Sequence, residues 1–87
     1  MMDSLDRSIG FRVVSSAGYV GTVEEIVYGA ENCLGALVIG IGLSERPLVL
    51  VGVEEVLDCS ERDGSLILSP SWRSSAVEIP DAERLVA

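Results

Sequence analysis

Gly18-Tyr19-Val20-Gly21-Thr22-Val23-Glu24-Glu25-Ile26-Val27-Tyr28 is the stretch on which the reading of the fold turns. Gly18 takes a positive φ without a Cβ clash and so suits a hairpin tip, while Gly21 lets a strand thin where another backbone approaches or the strand bends. The β-branched and aromatic residues between and after them fit a pleated, half-buried surface better than a helix. The apolar positions Val20, Val23 and Ile26 are not evenly two apart. That irregularity predicts a bulge or sharp coil between Gly21 and Glu24, the device by which small sheets curve toward closure.

Working outward, residues 9–15 read as a first strand, with Ser15-Ser16-Ala17-Gly18 as its turn. Downstream, Gly29-Ala30-Glu31-Asn32 is a connector of hairpin length, followed by a third strand over residues 33–41 and a fourth over 48–53, which Pro47 precedes at a position where its missing donor does least harm. Residues 54–58 continue as a short turn or strand, Ser60 to Gly64 as a turn, and residues 65–69 as a further strand. Ser69-Pro70-Ser71-Trp72 breaks the pattern, residues 76–79 are able to add a strand, and residues 80–87 read as one helical turn or a frayed end. The expected organisation is a disordered lead-in over residues 1–8, one domain over 9–69, and a tail over 70–87 that adds a strand or covers the sheet. A buried helix over the apolar run beginning at Leu34 is the rival, but its β-branched neighbours and the regular turn spacing favour strands.

The chain has 87 residues, 48% of them hydrophobic and only 5% aromatic, so one small domain must be built on an aliphatic core. Its formal net charge is -8, it has no Lys and no His, and its six Arg are scattered. A polyanion meets net repulsion with no local cluster to offset it, which argues against nucleic acid and anionic lipid as partners. The N-terminal residues lack the basic and apolar regions of a secretory signal, and no apolar run approaches the ~20 residues of a spanning helix. A soluble, cytoplasmic protein is expected.

The candidate chemical groups point away from catalysis. Glu24–Glu25 and Glu54–Glu55 invite an acid/base or metal reading, yet adjacent residues on a strand face opposite ways. Solvated strand edges explain them better. Asp58, Glu61, Asp63 and Gly64 imitate a calcium loop, but the spacing is wrong and a type I turn accounts for them. Serines have no His or Lys to activate them, and no nucleophile elbow occurs. Cys33 and Cys59 read as buried free thiols, with a cross-strand disulfide as the other option. No catalytic, metal or cofactor residue is expected. Trp72 and Tyr28 can anchor a partner or simply cap the core.

The run from Phe11 to Leu68 resembles the PRC-barrel domain family, the small β-barrel of the cytoplasmic part of the photosynthetic reaction-centre H subunit and of a ribosome-maturation factor. The likeness lies in the element Gly18-x-x-Gly21-x-Val23 with Ile26 after it, two aliphatic strands, the second running into a V-x-x-V step at Val53 to Val56, and a closing strand at Leu66 to Leu68. Gly52 stands where many members have proline. The resemblance implies an all-β fold, a small antiparallel β-barrel of five to six strands, and a non-enzymatic adaptor that docks onto itself or another protein. A small-molecule or metal-sensing regulatory module is the alternative.

Strands three and four lack the alternation of a sheet with one wet face. Leu34, Ala36 and Val38 alternate with Leu37, Ile39 and Ile41, and Leu48 and Leu50 with Val49, Val51 and Val53. Only one face of a small barrel is interior, so the other leaves an apolar patch that something must cover. A homodimer through these strands is expected, with Val49, Leu50 and Trp72 as interface candidates, and the C-terminal tail as the rival cover.

Overall fold

In the computed structural model, which describes residues 5, 7–29, 33–44 and 46–79, the irregular stretch becomes an eleven-residue strand, β2 (Gly18–Tyr28). It is preceded by β1 (Arg12–Ser15) and followed by β3 (Leu34–Ile41) and β4 (Leu48–Gly52). A single 3₁₀ turn, Val53–Glu55, leads into β5 (Val56–Ser60) and β6 (Ser65–Leu68). One turn of helix, α1 (Trp72–Ser75), then leads to β7 (Val77–Ile79). The seven described strands form one sheet in the order β5-β6-β1-β2-β3-β4-β7. All neighbours are antiparallel except β1 and β6, which run parallel.

The bulges make β2 long enough to serve two neighbours. Its register slips against β1 between Val13 and Val14, and against β3 between Val23 and Glu25, so Glu24 is squeezed out of the ladder. Each extra residue bends the strand and adds twist.

The connection from β4 to β5 shows how far the sheet curls. These strands are five places apart in the sheet, roughly 24 Å if it were flat at ~4.8 Å per neighbour. The chain from Gly52 to Val56 reaches at most ~14 Å over its four peptide steps. The sheet must roll until β5 approaches β4. One core results, collecting Val13, Val20, Val23, Leu37, Ile39, Val51, Val56, Cys59, Leu66 and Leu68 on the concave face.

The all-β class holds, and the expected closed or nearly closed antiparallel barrel of five to six strands is corrected to an open, curled sheet with one parallel pair. No ladder joins β5 to β7 among the described residues. The physical reason is what lies between them: Val53–Glu55 and the Ser69–Ser75 segment are helical turns, and their own backbone hydrogen bonds replace strand pairing. Trp72, 5% exposed, drops from α1 into the core at this seam. Its ring belongs to the core cluster, and Arg73 stacks 4.8 Å from its centroid.

Both expected flanks are partly built into the domain. Leu5 belongs to the core, and Ser8 is fully buried with its hydroxyl donating to the Leu5 carbonyl oxygen at 2.7 Å. A lone leucine among polar residues has no periodicity to reveal it. At the other end β7 adds a strand beside β4, while residues 80–87 lie outside the described part of the chain.

Candidate functional site

Two features of the described structure merit a functional reading: the polar cluster at the seam and the convex face of β3, β4 and β7. At the seam, the 3₁₀ turn holds Glu55 against the chain leaving β6. The Ser69 amide donates to the Glu55 carbonyl oxygen at 2.7 Å, fixing the two backbones. The carboxylate then accepts from three serines: Ser69 and Ser71 at Oε1, the latter at 3.3 Å, and Ser75 at Oε2 at 2.9 Å. The Ser69 hydroxyl, followed by that of Ser75, lowers the Glu55 pKa, with desolvation opposing and Ser71 adding a little. A carboxylate stabilised in this way is a weak base, and its serines are already committed as donors. The arrangement latches the seam rather than activating a nucleophile.

The other expected chemical groups stand apart. Glu24 occupies the bulge of β2, and Glu54 and Glu55 lie in the 3₁₀ turn. Neither doublet forms a two-sided strand edge, because Glu24 is skipped by the ladder that Glu25 joins opposite Val38, and Glu54 and Glu55 lie outside any strand. Among the described residues no group of three or more His, Cys, Asp or Glu is placed to hold a metal ion. Cys59 is buried and free, its thiol pushed up first by desolvation and then by Asp58. Cys33 is exposed and free, against the expectation of burial, because it precedes β3 instead of lying within it.

Strand register decides the faces. Directly opposite residues of an antiparallel pair share a face, so Leu37 and Val51, and Ile39 and Val49, point inward. Val38 and Leu50, and Gly40 and Leu48, therefore point outward. β7 extends the outward set with Val77 opposite Leu50 and Ile79 opposite Leu48. Of the three interface candidates, Leu50 alone lies on the outer face. Val49 packs against the core, and Trp72 is turned into it. Gly18 opens β2 at φ 118°, and Gly21 is buried where β2 crosses β3.

The convex face is apolar but unevenly covered. Val77 is 59% exposed and Leu50 half-buried, whereas Val38 and Leu48 are 4% and 3% exposed and Gly40 is buried too. Sequence patterning found this double-sided character. It missed a second outward row on the other half of the sheet, where Tyr19, Ile67 and Leu57 are exposed across β2, β6 and β5. Leu57 stands there because the register slips between Val56 and Asp58, which no spacing rule signalled.

No protein-family model matches this chain, and no curated protein matches it. No helix among the described residues is long and apolar enough to cross a membrane.

Proposed function

We propose that this chain is a non-enzymatic module for protein–protein interaction and assembly, PRC-barrel-like in its strand sequence and glycine element, that pairs with a second copy as a homodimer. The carrying observation is the outward apolar set Leu50, Val77 and Ile79 on adjacent strands β4 and β7, on a face that the core does not use. An apolar strip at a sheet edge, on a chain with charge -8, suits burial against another protein. It does not suit a polyanion. A cytoplasmic location accompanies this reading, because two unpaired thiols fit a reducing compartment.

Sedimentation of the unmodified chain at tens of micromolar tests the proposal. A discrete dimer that Leu50→Glu converts to a folded monomer is the expected result. A monomer at that concentration rejects self-association. Native mass spectrometry separates the rival class, since a ligand-sensing module retains added mass whereas an assembly module shows multiples of the chain alone.

A further inference from the structure

Residues 70–79 are fastened to the rest of the fold at few points. Among these described residues only Trp72 is buried, while Val77 and Glu78 are exposed and Ile79 is half-buried. The backbone bonds of α1, from the Ser74 amide to the Ser71 carbonyl oxygen at 3.0 Å and from the Ala76 amide to the Arg73 carbonyl oxygen at 3.4 Å, are local and travel with the segment. Three ties lead to the body: the Trp72 ring with Ala76 against the core, the match of Ile79, Glu78 and Val77 with Leu48, Val49 and Leu50, and the Glu55 carboxylate.

Glu55 reaches across the joint. Pro70 is exposed and has no backbone N–H to anchor it. On the body side of Pro70, Glu55 holds Ser69 twice, by its carbonyl oxygen to the amide and by its carboxylate to the hydroxyl. On the far side the same carboxylate takes Ser71 at Oε1 and Ser75 at Oε2. Ser71 stands at the N-cap of α1 yet makes no side-chain capping bond, so the helical turn gains no support of its own at that end.

We propose that residues 70–79 are a strap that opens as one unit about Pro70, lifting Trp72 from the core and β7 from β4, with the Glu55 carboxylate as its fastener. The rest of the sheet survives this opening, because β4 stays paired with β3 from Ala36–Gly52 to Gly40–Leu48 and β7 is the terminal strand. A segment with so little buried surface opens at a lower free energy than the whole fold. When closed, the strap supplies Val77 and Ile79 to the convex docking set. Resting on the docking reading above, a second copy therefore holds it shut.

Native-state hydrogen exchange of the full chain provides the test. The amides bonded across the β4–β7 ladder and the Trp72 indole N–H should share one opening, about tenfold or more as frequent as that of the amides bonding β1 to β6, and less dependent on denaturant. Val13→Ala should accelerate the β1–β6 amides and leave the strap's unchanged, because Val13 lies between β2 and β6, which stay paired when the strap opens. Ser75→Ala, and more strongly Glu55→Ala, should accelerate both sets by one common factor, since each weakens the closed state from which both openings start. One shared opening for both sets in the parent, or strap amides that follow Val13→Ala, overturns the strap. Strap exchange unmoved by Ser75→Ala and Glu55→Ala overturns Glu55 as its fastener. Protein concentration addresses the docking reading separately: strap exchange that slows as the chain is concentrated supports docking through Val77 and Ile79, and a separate strap opening independent of concentration rejects docking there while leaving the strap intact.

Discussion

Gly21 passes so close to Gly40 that a β-carbon on the former would overlap the latter's carbonyl oxygen, and would lie 2.9 Å from its carbonyl carbon and 3.0 Å from the Ile41 Cα. These are backbone atoms of a paired strand, so they cannot swing away. Gly21→Val should lower stability by about 1–3 kcal/mol, and Gly18→Val by a similar amount through its φ of 118°. Chemical denaturation measures both. Melting of both variants within a degree or two of the parent would show that neither position is constrained.

Glu55 predicts a pH dependence. Its folded-state pKa lies below the ordinary value of 4.5 because serine hydroxyls stabilise the carboxylate. The contribution is therefore fully present above about pH 4.5 and is lost as pH falls through the lower folded value. Thermal melts between pH 7 and pH 3 should show Glu55→Gln less stable than the parent at neutral pH, with the gap narrowing in acid. A constant gap across the range would contradict the latch.

The two cysteines should separate kinetically. A thiol reagent at pH 8 should consume Cys33 at once and Cys59 only on unfolding, because Cys59 is buried and its thiolate is disfavoured by burial and by Asp58. Rapid modification of two thiols in the native protein would mean that β5 opens freely.

Paired charge insertions distinguish the faces of β4. Val49→Glu places a carboxylate against the core and should cost the fold itself about 2 kcal/mol or more, whereas Leu50→Glu faces outward and should cost clearly less, its loss being that of the dimer contact. Equal losses would mean that the two side chains do not face opposite ways.

Trp72 tests the seam itself. Removing a ring that is 5% exposed, as in Trp72→Ala, should cost about 3 kcal/mol or more, and the parent's fluorescence should be blue-shifted. Emission typical of water-exposed indole would place the ring outside the core.

The sequence revealed its strands where side-chain chemistry repeats and concealed its contacts where a single residue acts alone. The bulge in β2 was legible because Val20, Val23 and Ile26 break a period of two, and the register slips at Glu24. The double-sided apolar character of β3 and β4 was legible for the same reason. Leu5, Ser8 and Trp72 carry no period, so their place in the core emerges only from tertiary packing. The seam was illegible for another cause. Val53-Glu54-Glu55-Val56 matches Val23-Glu24-Glu25-Ile26 in its first three letters, but the first run opens as a 3₁₀ turn and the second is a bulged strand, because only the second has a partner strand along its length, with Val23, Glu25 and Ile26 matched to Ile39, Val38 and Leu37. Of the seam cluster, Glu55 was weighed as one of an acidic pair, and its three serine partners are brought to it by the path of the chain after β6.

The parallel pairing of β1 with β6 carries a consequence for biosynthesis. Arg12 is matched with Ser65 and Val14 with Ile67, so the earliest described strand to leave the ribosome receives its second neighbour only after β2 to β5 have all been made. Until then its unpaired edge is a template for strands of other nascent chains. The hairpin of β1 and β2 can form promptly, but the concave core stays open on that side. Leu66 and Leu68, both fully buried, arrive with β6 and complete it. Ribosome-bound chains that stop short of residue 65 should thus expose an apolar trough to chaperones, and release from them should coincide with emergence of β6.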